Sequence, residues 1–211
     1  MKLFKDSVDK KLAKILRNGG FALDAFECIK SGADLSKIDV NSQALFHGTP
    51  EPLISAAAFL RDLPVVFQLI NHGADVNIKD NADITPLMYA VNPIGGDTDL
   101  DIVKLLVENG ADVNASRVQP VTNVRESVIG LASYFADVDL VKYLIDNGAG
   151  KSIIKEDVEK YEARIKEMDC LSQPTKSYDE IKERYITVLD MMKEELVKNE
   201  KGKQTENAVE L

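Results

Sequence analysis

Three short stretches in the middle of this chain decide its fold: Thr85-Pro-Leu-Met-Tyr-Ala90, Asp101-Ile-Val-Lys-Leu-Leu-Val107 and Asn109-Gly-Ala-Asp-Val-Asn114. Thr is a preferred N-cap and Pro a preferred first helical residue, so the first stretch predicts the start of a short helix. The apolar residues of the second stretch recur at intervals of three and four, which is the helical period. Gly110 then predicts the helix end, because glycine enters the left-handed region without a Cβ clash.

The third stretch is one of four similar segments along the chain. The others are Ser31-Gly-Ala-Asp-Leu-Ser36, His72-Gly-Ala-Asp-Val-Asn77 and Asn147-Gly-Ala-Gly-Lys-Ser152. Their glycines are spaced by 41, 37 and 38 residues, and each glycine follows an amphipathic run. Short helical starts precede three of these runs, at 51–57, 85–90 and 127–133. The pattern therefore predicts a repeated unit of helix, turn, helix and glycine-containing turn.

On these motifs the chain resembles the ankyrin-repeat family over about residues 20–150. The resemblance implies an all-α, ankyrin-type helix-turn-helix solenoid with about four repeats. The family period is about 33 residues, and every spacing here is longer. The extra length falls at 92–97, between two helices, and in long inserted hairpins at 37–49 and 115–125. Insertions in a solenoid map to one face, often the binding face.

The ends of the chain predict caps for the stack. We assign 1–20 to an N-terminal capping helix, 21–154 to the ankyrin-like repeats, 155–199 to a C-terminal capping helical hairpin and 200–211 to a disordered tail. Apolar residues at helical spacing mark the buried face of the last capping helix; they are Tyr178, Ile181, Tyr185, Leu189 and Met192. An uncovered end repeat would leave apolar surface in water, which is why solenoids carry such caps.

Composition excludes several classes of protein. The chain has 211 residues and a net charge of −9. Proteins bind the phosphate backbone of nucleic acids chiefly through Lys and Arg, so we expect no nucleic-acid partner. No apolar run reaches the roughly 18–20 residues of a membrane span, and the first residues have no secretory apolar core. The two cysteines fit a reducing compartment. We therefore expect a cytoplasmic protein without a membrane partner.

No catalytic constellation stands out in the sequence. His47 and His72 lie in different predicted loops, and no glycine-rich phosphate loop is present. The recurrent aspartates 34, 75 and 112 are interpreted as turn residues, because short polar side chains bind turn backbone. We expect no enzyme activity, no cofactor and no metal. The alternatives are an enzyme or enzyme regulatory subunit with a site in the inserted loops, such as His47 with Asp39, or a pathogen effector.

The resemblance implies a binding surface on the concave face, formed by the last turns of the inner helices and the hairpin tips. The residues that match those places are Phe46, His47, Phe59, Leu60, Arg61, Lys79, Asn81, Asn92, Arg117, Tyr134, Phe135 and Asp137. Large apolar residues at these normally polar positions indicate a patch that binds a partner. The alternative is that Phe59 and Tyr134 pack beneath the inserted hairpins of the same chain.

These observations favour a monomeric, non-enzymatic scaffold that binds another protein. The acidic balance favours a basic partner, because opposite charge accelerates encounter. An inhibitor or immunity-type protein that covers a basic site is one form of this hypothesis.

Overall fold

A computed structural model describes the backbone of residues 2–92, 99–169 and 176–209, and the side chains of 7–92, 99–150, 154–167 and 179–198. The helices follow one another as contacting pairs, in chain order: α1 (Lys2–Arg17) with α2 (Ala22–Lys30), α3 (Leu53–Phe59) with α4 (Leu63–Asn71), α5 (Pro86–Ala90) with α6 (Leu100–Glu108), α7 (Val128–Tyr134) with α8 (Val138–Asp146), and α9 (Lys151–Asp169) with α10 (Lys176–Val209). The predicted all-α solenoid agrees with this architecture.

Two short antiparallel hairpins occupy connections where the sequence predicts insertions. Strand β1 (Gln43–Phe46) pairs with β2 (Thr49–Pro52), and β3 (Ser116–Val118) pairs with β4 (Arg125–Ser127). Strand β2 leads directly into α3, and β4 leads directly into α7. Each hairpin is therefore attached to the N-terminal end of the helix that follows it. Residues 93–97 of the third predicted insertion lie outside the described part of the chain.

The core lies between the inner helices α3, α5 and α7 and the outer helices α4, α6 and α8. Helix α3 packs against α5, and α5 packs against α7. The outer helices bury one stripe each, at matching positions: Val65, Val66 and Leu69 in α4, Ile102, Val103 and Leu106 in α6, and Leu140, Val141 and Leu144 in α8. The inner helix α3 is buried on nearly all sides, which its small residues permit.

The turn aspartates have the structural role that the sequence indicates. Asp75 accepts a hydrogen bond from the backbone N–H of Asn77 at 2.8 Å, and Asp112 accepts one from Asn114 at 2.8 Å. Asp34 accepts from both the N–H and the hydroxyl of Ser36. These bonds close the turns that follow Gly32, Gly73 and Gly110.

A ladder of asparagine side chains joins successive turns. The Oδ1 atom of Asn77 accepts from the N–H of Asp112 at 2.8 Å, while its Nδ2 donates to the carbonyl of Gly110 at 2.9 Å. Asn114 makes the same pair of bonds to the next turn, at Gly148 and Gly150. Each asparagine therefore satisfies one donor and one acceptor of the neighbouring unit and fixes the stacking register.

The C-terminal pair α9–α10 covers the end of the stack. Helix α9 packs against α7, and α10 packs against α8. The buried apolar residues in the described part of this pair are Ile154, Val158, Tyr161, Tyr185, Val188, Leu189 and Met192. The expected burial of Ile181 is wrong, since its side chain is 44% exposed; among the described side chains of α10, 179–198, Tyr185 is the first buried one. The side chain of Tyr178 lies outside the described residues.

Helix α10 continues as helical backbone to Val209, where the sequence predicts disorder from residue 200. The last residues include Glu, Lys, Gln and Ala, which have high helix propensity. In the described part of the chain, no helix combines the length and apolar character needed to cross a bilayer.

Candidate functional site

The first group of predicted site residues forms an aromatic cluster between the β1–β2 hairpin and the inner helices. The ring of Phe46 stacks on His47 with centroids 4.1 Å apart, and both rings contact Phe59 edge-on at 5.3 Å. Phe59 in turn meets Tyr89 of α5 at 5.9 Å. Phe46 is buried, Phe59 and Tyr89 are half-buried, and His47 is exposed. We call these four residues the first aromatic cluster. Its inner members anchor the hairpin within the chain, as the alternative interpretation holds for Phe59.

Two carboxylates lie beside this cluster and share the hydroxyl of Tyr89. That hydroxyl donates to Asp80 Oδ2 at 2.6 Å and lies 3.5 Å from Glu51 Oε2. Burial raises the pKa of Glu51, and the neighbouring carboxylate of Asp80 raises it further, while the hydroxyl of Thr49 opposes the shift. Burial and the charge of Asp80 also raise the pKa of Tyr89, so this phenol stays protonated.

The second group contains Tyr134 and Phe135, at the end of α7. Their rings meet edge-on with centroids 5.0 Å apart, and they are 50% and 37% exposed. The guanidinium of Arg164 lies 4.2 Å from the centroid of the Tyr134 ring. The hydroxyl of Tyr185 donates to the carbonyl of Tyr134. The C-terminal helices therefore fix Tyr134 from one side, through Arg164 of α9 and Tyr185 of α10.

A groove runs between α7 and α9 beside these two rings. It consists of two adjoining cavities of about 300 and 280 Å³, which share Gly130, Tyr134, Asp157 and Lys160. The larger cavity is also bordered by Asn92, Val124, Leu131 and Phe135. We call this feature the α7–α9 groove. It places an apolar floor next to the exposed aromatic rings.

A buried carboxylate lies in the wall of this groove. Asp157 is 5% exposed, accepts from the hydroxyl of Ser127 at 2.5 Å and pairs with Lys160 at 3.2 Å. Burial raises the pKa of Asp157, while Ser127 and Lys160 act in the opposite direction. Gly130 leaves the necessary space, because a Cβ there would lie 2.8 and 2.9 Å from the two carboxylate oxygens.

The Ser127–Asp157 pair has a structural explanation. The hydroxyl of Ser127 also accepts from the N–H of Gly130 at 2.9 Å, so it is the N-cap of α7. Its proton is directed to a carboxylate, and no histidine is part of the arrangement. The geometry joins the cap to the stack and does not form a nucleophile with its base.

The remaining predicted site residues lie at several places around these clusters. Arg117 pairs with Glu126 at 2.7 Å, and Asp137 caps α8 by accepting from the N–H of Leu140 at 3.0 Å. Both therefore have roles within the chain. The others are the exposed Leu60, Lys79 and Asn81 and the half-buried Arg61 and Asn92.

The structure does not bring the proposed His47–Asp39 pair into contact among the residues it describes. Asp39 accepts from the N–H of Asn41 at 2.9 Å, a turn contact, and the His47 ring packs on aromatic neighbours. Across the described ranges, no group of three or more His, Cys, Asp or Glu side chains is arranged to hold a metal ion.

Sequence reasoning missed the contribution of the cap to this surface. Arg164 and Asp157 lie in a segment interpreted only as a cover, yet both border the groove. A local signal was present at Gly130, because the corresponding first-turn positions of α3 and α5 are occupied by Ser55 and Met88. A glycine at this place in a buried helix indicates that another group approaches closely.

Comparison with known families agrees with this geometry. A family model described as ankyrin repeats (3 copies) matches residues 17–117 and 53–157. The matches together span more than half of the chain, and the protein belongs to the ankyrin-repeat family. Ankyrin repeats commonly mediate protein–protein interaction and are generally non-enzymatic. A search of curated proteins finds no match to the chain.

Proposed function

We propose that this protein is a non-enzymatic scaffold that binds another protein. The proposed surface consists of the α7–α9 groove, the first aromatic cluster, the Tyr134–Phe135 pair and the hairpin tips. The observation that carries the proposal is the position of Tyr134 and Phe135. Both rings are partly exposed and stand at the border of a cavity of about 300 Å³. Exposed aromatic side chains beside an apolar hollow are typical anchor positions of protein interfaces.

The support for these rings makes them suitable anchors. Tyr134 is the last residue of α7. Its backbone carbonyl accepts a hydrogen bond from the hydroxyl of Tyr185, and the guanidinium of Arg164 lies over its ring. A side chain that is already positioned loses less conformational freedom when a partner binds. This advantage does not depend on which protein the partner is.

The proposed partner is a basic protein, and an inhibitor or immunity-type role is the finer form of the proposal. The net charge of −9 supports it, because an acidic surface attracts a basic partner over a distance of about one Debye length. The association rate with such a partner should fall as salt is added, while a neutral partner would show little change.

The test compares Tyr134→Ala and Phe135→Ala with Phe67→Ala. Phe67 is 52% exposed on the outer helix α4, away from both aromatic groups, and is a matched control. Calorimetry with a partner purified from native lysate should show a loss of about 1–4 kcal/mol for the first two variants and none for the control.

Thermal melting of the free variants separates binding from folding. Affinity lost with an unchanged melting temperature supports the proposed surface. A melting temperature that falls in step with the affinity would instead show that these rings stabilise the fold, and the proposal would be dropped.

A further inference from the structure

We infer that Glu51 forms a pH-dependent contact between the β1–β2 hairpin and the loop before α5. The protonated carboxyl of Glu51 donates a hydrogen bond to Asp80, and loss of that proton leaves two carboxylates that repel one another. Glu51 lies on β2, Asp80 lies in the loop, and Tyr89 lies on α5. The three groups therefore join two neighbouring units of the stack. This inference is independent of what the scaffold binds.

Asp80 accepts hydrogen bonds from three donors. Its Oδ1 atom accepts from the backbone N–H groups of Ala82 at 2.7 Å and Ile84 at 2.9 Å. Its Oδ2 atom accepts from the hydroxyl of Tyr89 at 2.6 Å. Both oxygens of this carboxylate therefore have a donor, although the side chain is only 8% exposed.

Glu51 has a different set of partners. Thr49 donates to its Oε1 atom at 2.8 Å, and its Oε2 atom lies 3.5 Å from the hydroxyl of Tyr89. That hydroxyl has one proton, and the shorter distance assigns it to Asp80. The Oε2 atom of Glu51 therefore faces a hydroxyl that is already engaged and a second carboxylate. A proton on Glu51 would supply the missing donor.

The guanidinium of Arg117 lies beside the same loop, where its Nη1 atom donates to the carbonyl of Ala82 at 3.5 Å and its Nη2 atom pairs with Glu126 at 2.7 Å. The titratable groups that face Glu51 are Asp80 from the loop and Tyr89 from α5, and its own strand contributes only the neutral Thr49. Two carboxylates that approach one another hold a proton more tightly than either would alone. We place the additional proton on Glu51, because its Oε2 atom has only the more distant hydroxyl of Tyr89 as a donor, whereas both oxygens of Asp80 already accept hydrogen bonds.

The direction of the pH effect follows from the raised pKa of Glu51, caused first by burial and then by Asp80. Stability from the protonated contact is fully present below the ordinary glutamate pKa and is lost as pH rises through the raised value. The same hairpin carries Phe46 and His47, whose rings rest on Phe59. The proton on Glu51 therefore also acts on the position of the first aromatic cluster.

The experiment measures thermal melting of the wild type, Glu51→Gln and Asp83→Asn between pH 5.0 and 7.5. Glutamine resembles the protonated carboxyl and can donate to Asp80 at every pH. We expect Glu51→Gln to melt about 2–4 °C above the wild type at pH 7.5, with a difference that shrinks towards pH 5.0. Asp83, an exposed carboxylate on the same loop, is the control, and its variant should differ from the wild type by a constant amount.

The amide resonances of Ala82 and Ile84 provide a second readout, because both N–H groups bind Asp80. In the wild type they should shift with a midpoint above the ordinary glutamate pKa, and in Glu51→Gln that transition should be absent. The inference is overturned if Glu51→Gln melts below the wild type at pH 7.5, or if the amide transition persists in that variant.

Discussion

The hydroxyl of Ser127 donates a 2.5 Å hydrogen bond to the buried carboxylate of Asp157, 30 residues further along the chain. Ser127 begins α7 and Asp157 lies in α9, so this bond fixes the C-terminal cap on the last inner helix. Gly130 makes the approach sterically feasible. The α7–α9 groove depends on the same placement, since Asp157 and Gly130 both border it.

Replacing Gly130 by alanine should push the cap away from α7. The new Cβ would lie 2.8 and 2.9 Å from the Asp157 oxygens and 2.9 Å from the Ser127 hydroxyl. We expect a loss of about 1–3 kcal/mol in the free energy of unfolding, measured by urea denaturation. The double variant Gly130→Ala/Asp157→Ala should lose less than the sum of the two single variants, because the clash partner is gone. Additive losses would contradict the steric explanation.

Deletion of residues 155–211 should destabilise the protein or cause aggregation. The deleted segment contains the buried Val158, Tyr161, Val188 and Met192, which cover α7 and α8. Exposure of apolar surface costs about 25 cal/mol per Å². The measurements are the melting temperature and the soluble fraction after centrifugation.

A shorter deletion serves as the control for that experiment. Removal of 199–211 keeps every buried residue of α10 that the structure describes. This variant should melt at the wild-type temperature. If the long deletion also melts there and stays soluble, then α9 and α10 are an appendage of the stack and not its cap.

Asn77→Ala should weaken the stacking of two adjacent turns. It removes one bond from the N–H of Asp112 and one to the carbonyl of Gly110. We expect a loss of about 1–3 kcal/mol, at roughly 0.5–1.5 kcal/mol per hydrogen bond. The control is Asn109→Ala, which removes a single local bond to the carbonyl of Leu105 and should cost less. Equal losses for the two variants would show that the ladder contributes no coupling between turns.

Asp34 should make the first turn sensitive to acid. Bonds from Ser36 and then from Lys37 lower the pKa of Asp34 to about 2. A lowered pKa stabilises the fold above the ordinary aspartate value, and this contribution is lost as pH falls towards 2. Asp34→Asn should therefore melt below the wild type at pH 7, with a gap that narrows between pH 5 and pH 2.

The equivalent residue of the next turn is the control for this acid effect. Asp75 accepts from the N–H of Asn77, and no lysine or arginine pairs with it among the described residues. Asp75→Asn should show a gap that changes less with pH. A gap for Asp34→Asn that stays constant down to pH 2 would contradict the role of Ser36 and Lys37.

The sequence by itself determined the repeated elements of this protein, because the forces that set them are local. Thr85 accepts from the N–H of Met88 as the predicted N-cap, and Gly110 ends α6 at a φ of +90°. The spacing of Ile102, Val103 and Leu106 placed the buried stripe of α6. These features depend on helical periodicity, capping and glycine geometry, each of which acts within a few residues.

Only the tertiary structure decided which side chains meet across repeats. Tyr89 lies beside Glu51 and Asp80, and Arg164 lies over Tyr134, because separate segments stack at particular distances. No periodicity encodes such contacts, since the partners are far apart in the chain and their approach depends on the packing of whole helices. The proposed proton on Glu51 and the groove beside Tyr134 both depend on contacts of this kind.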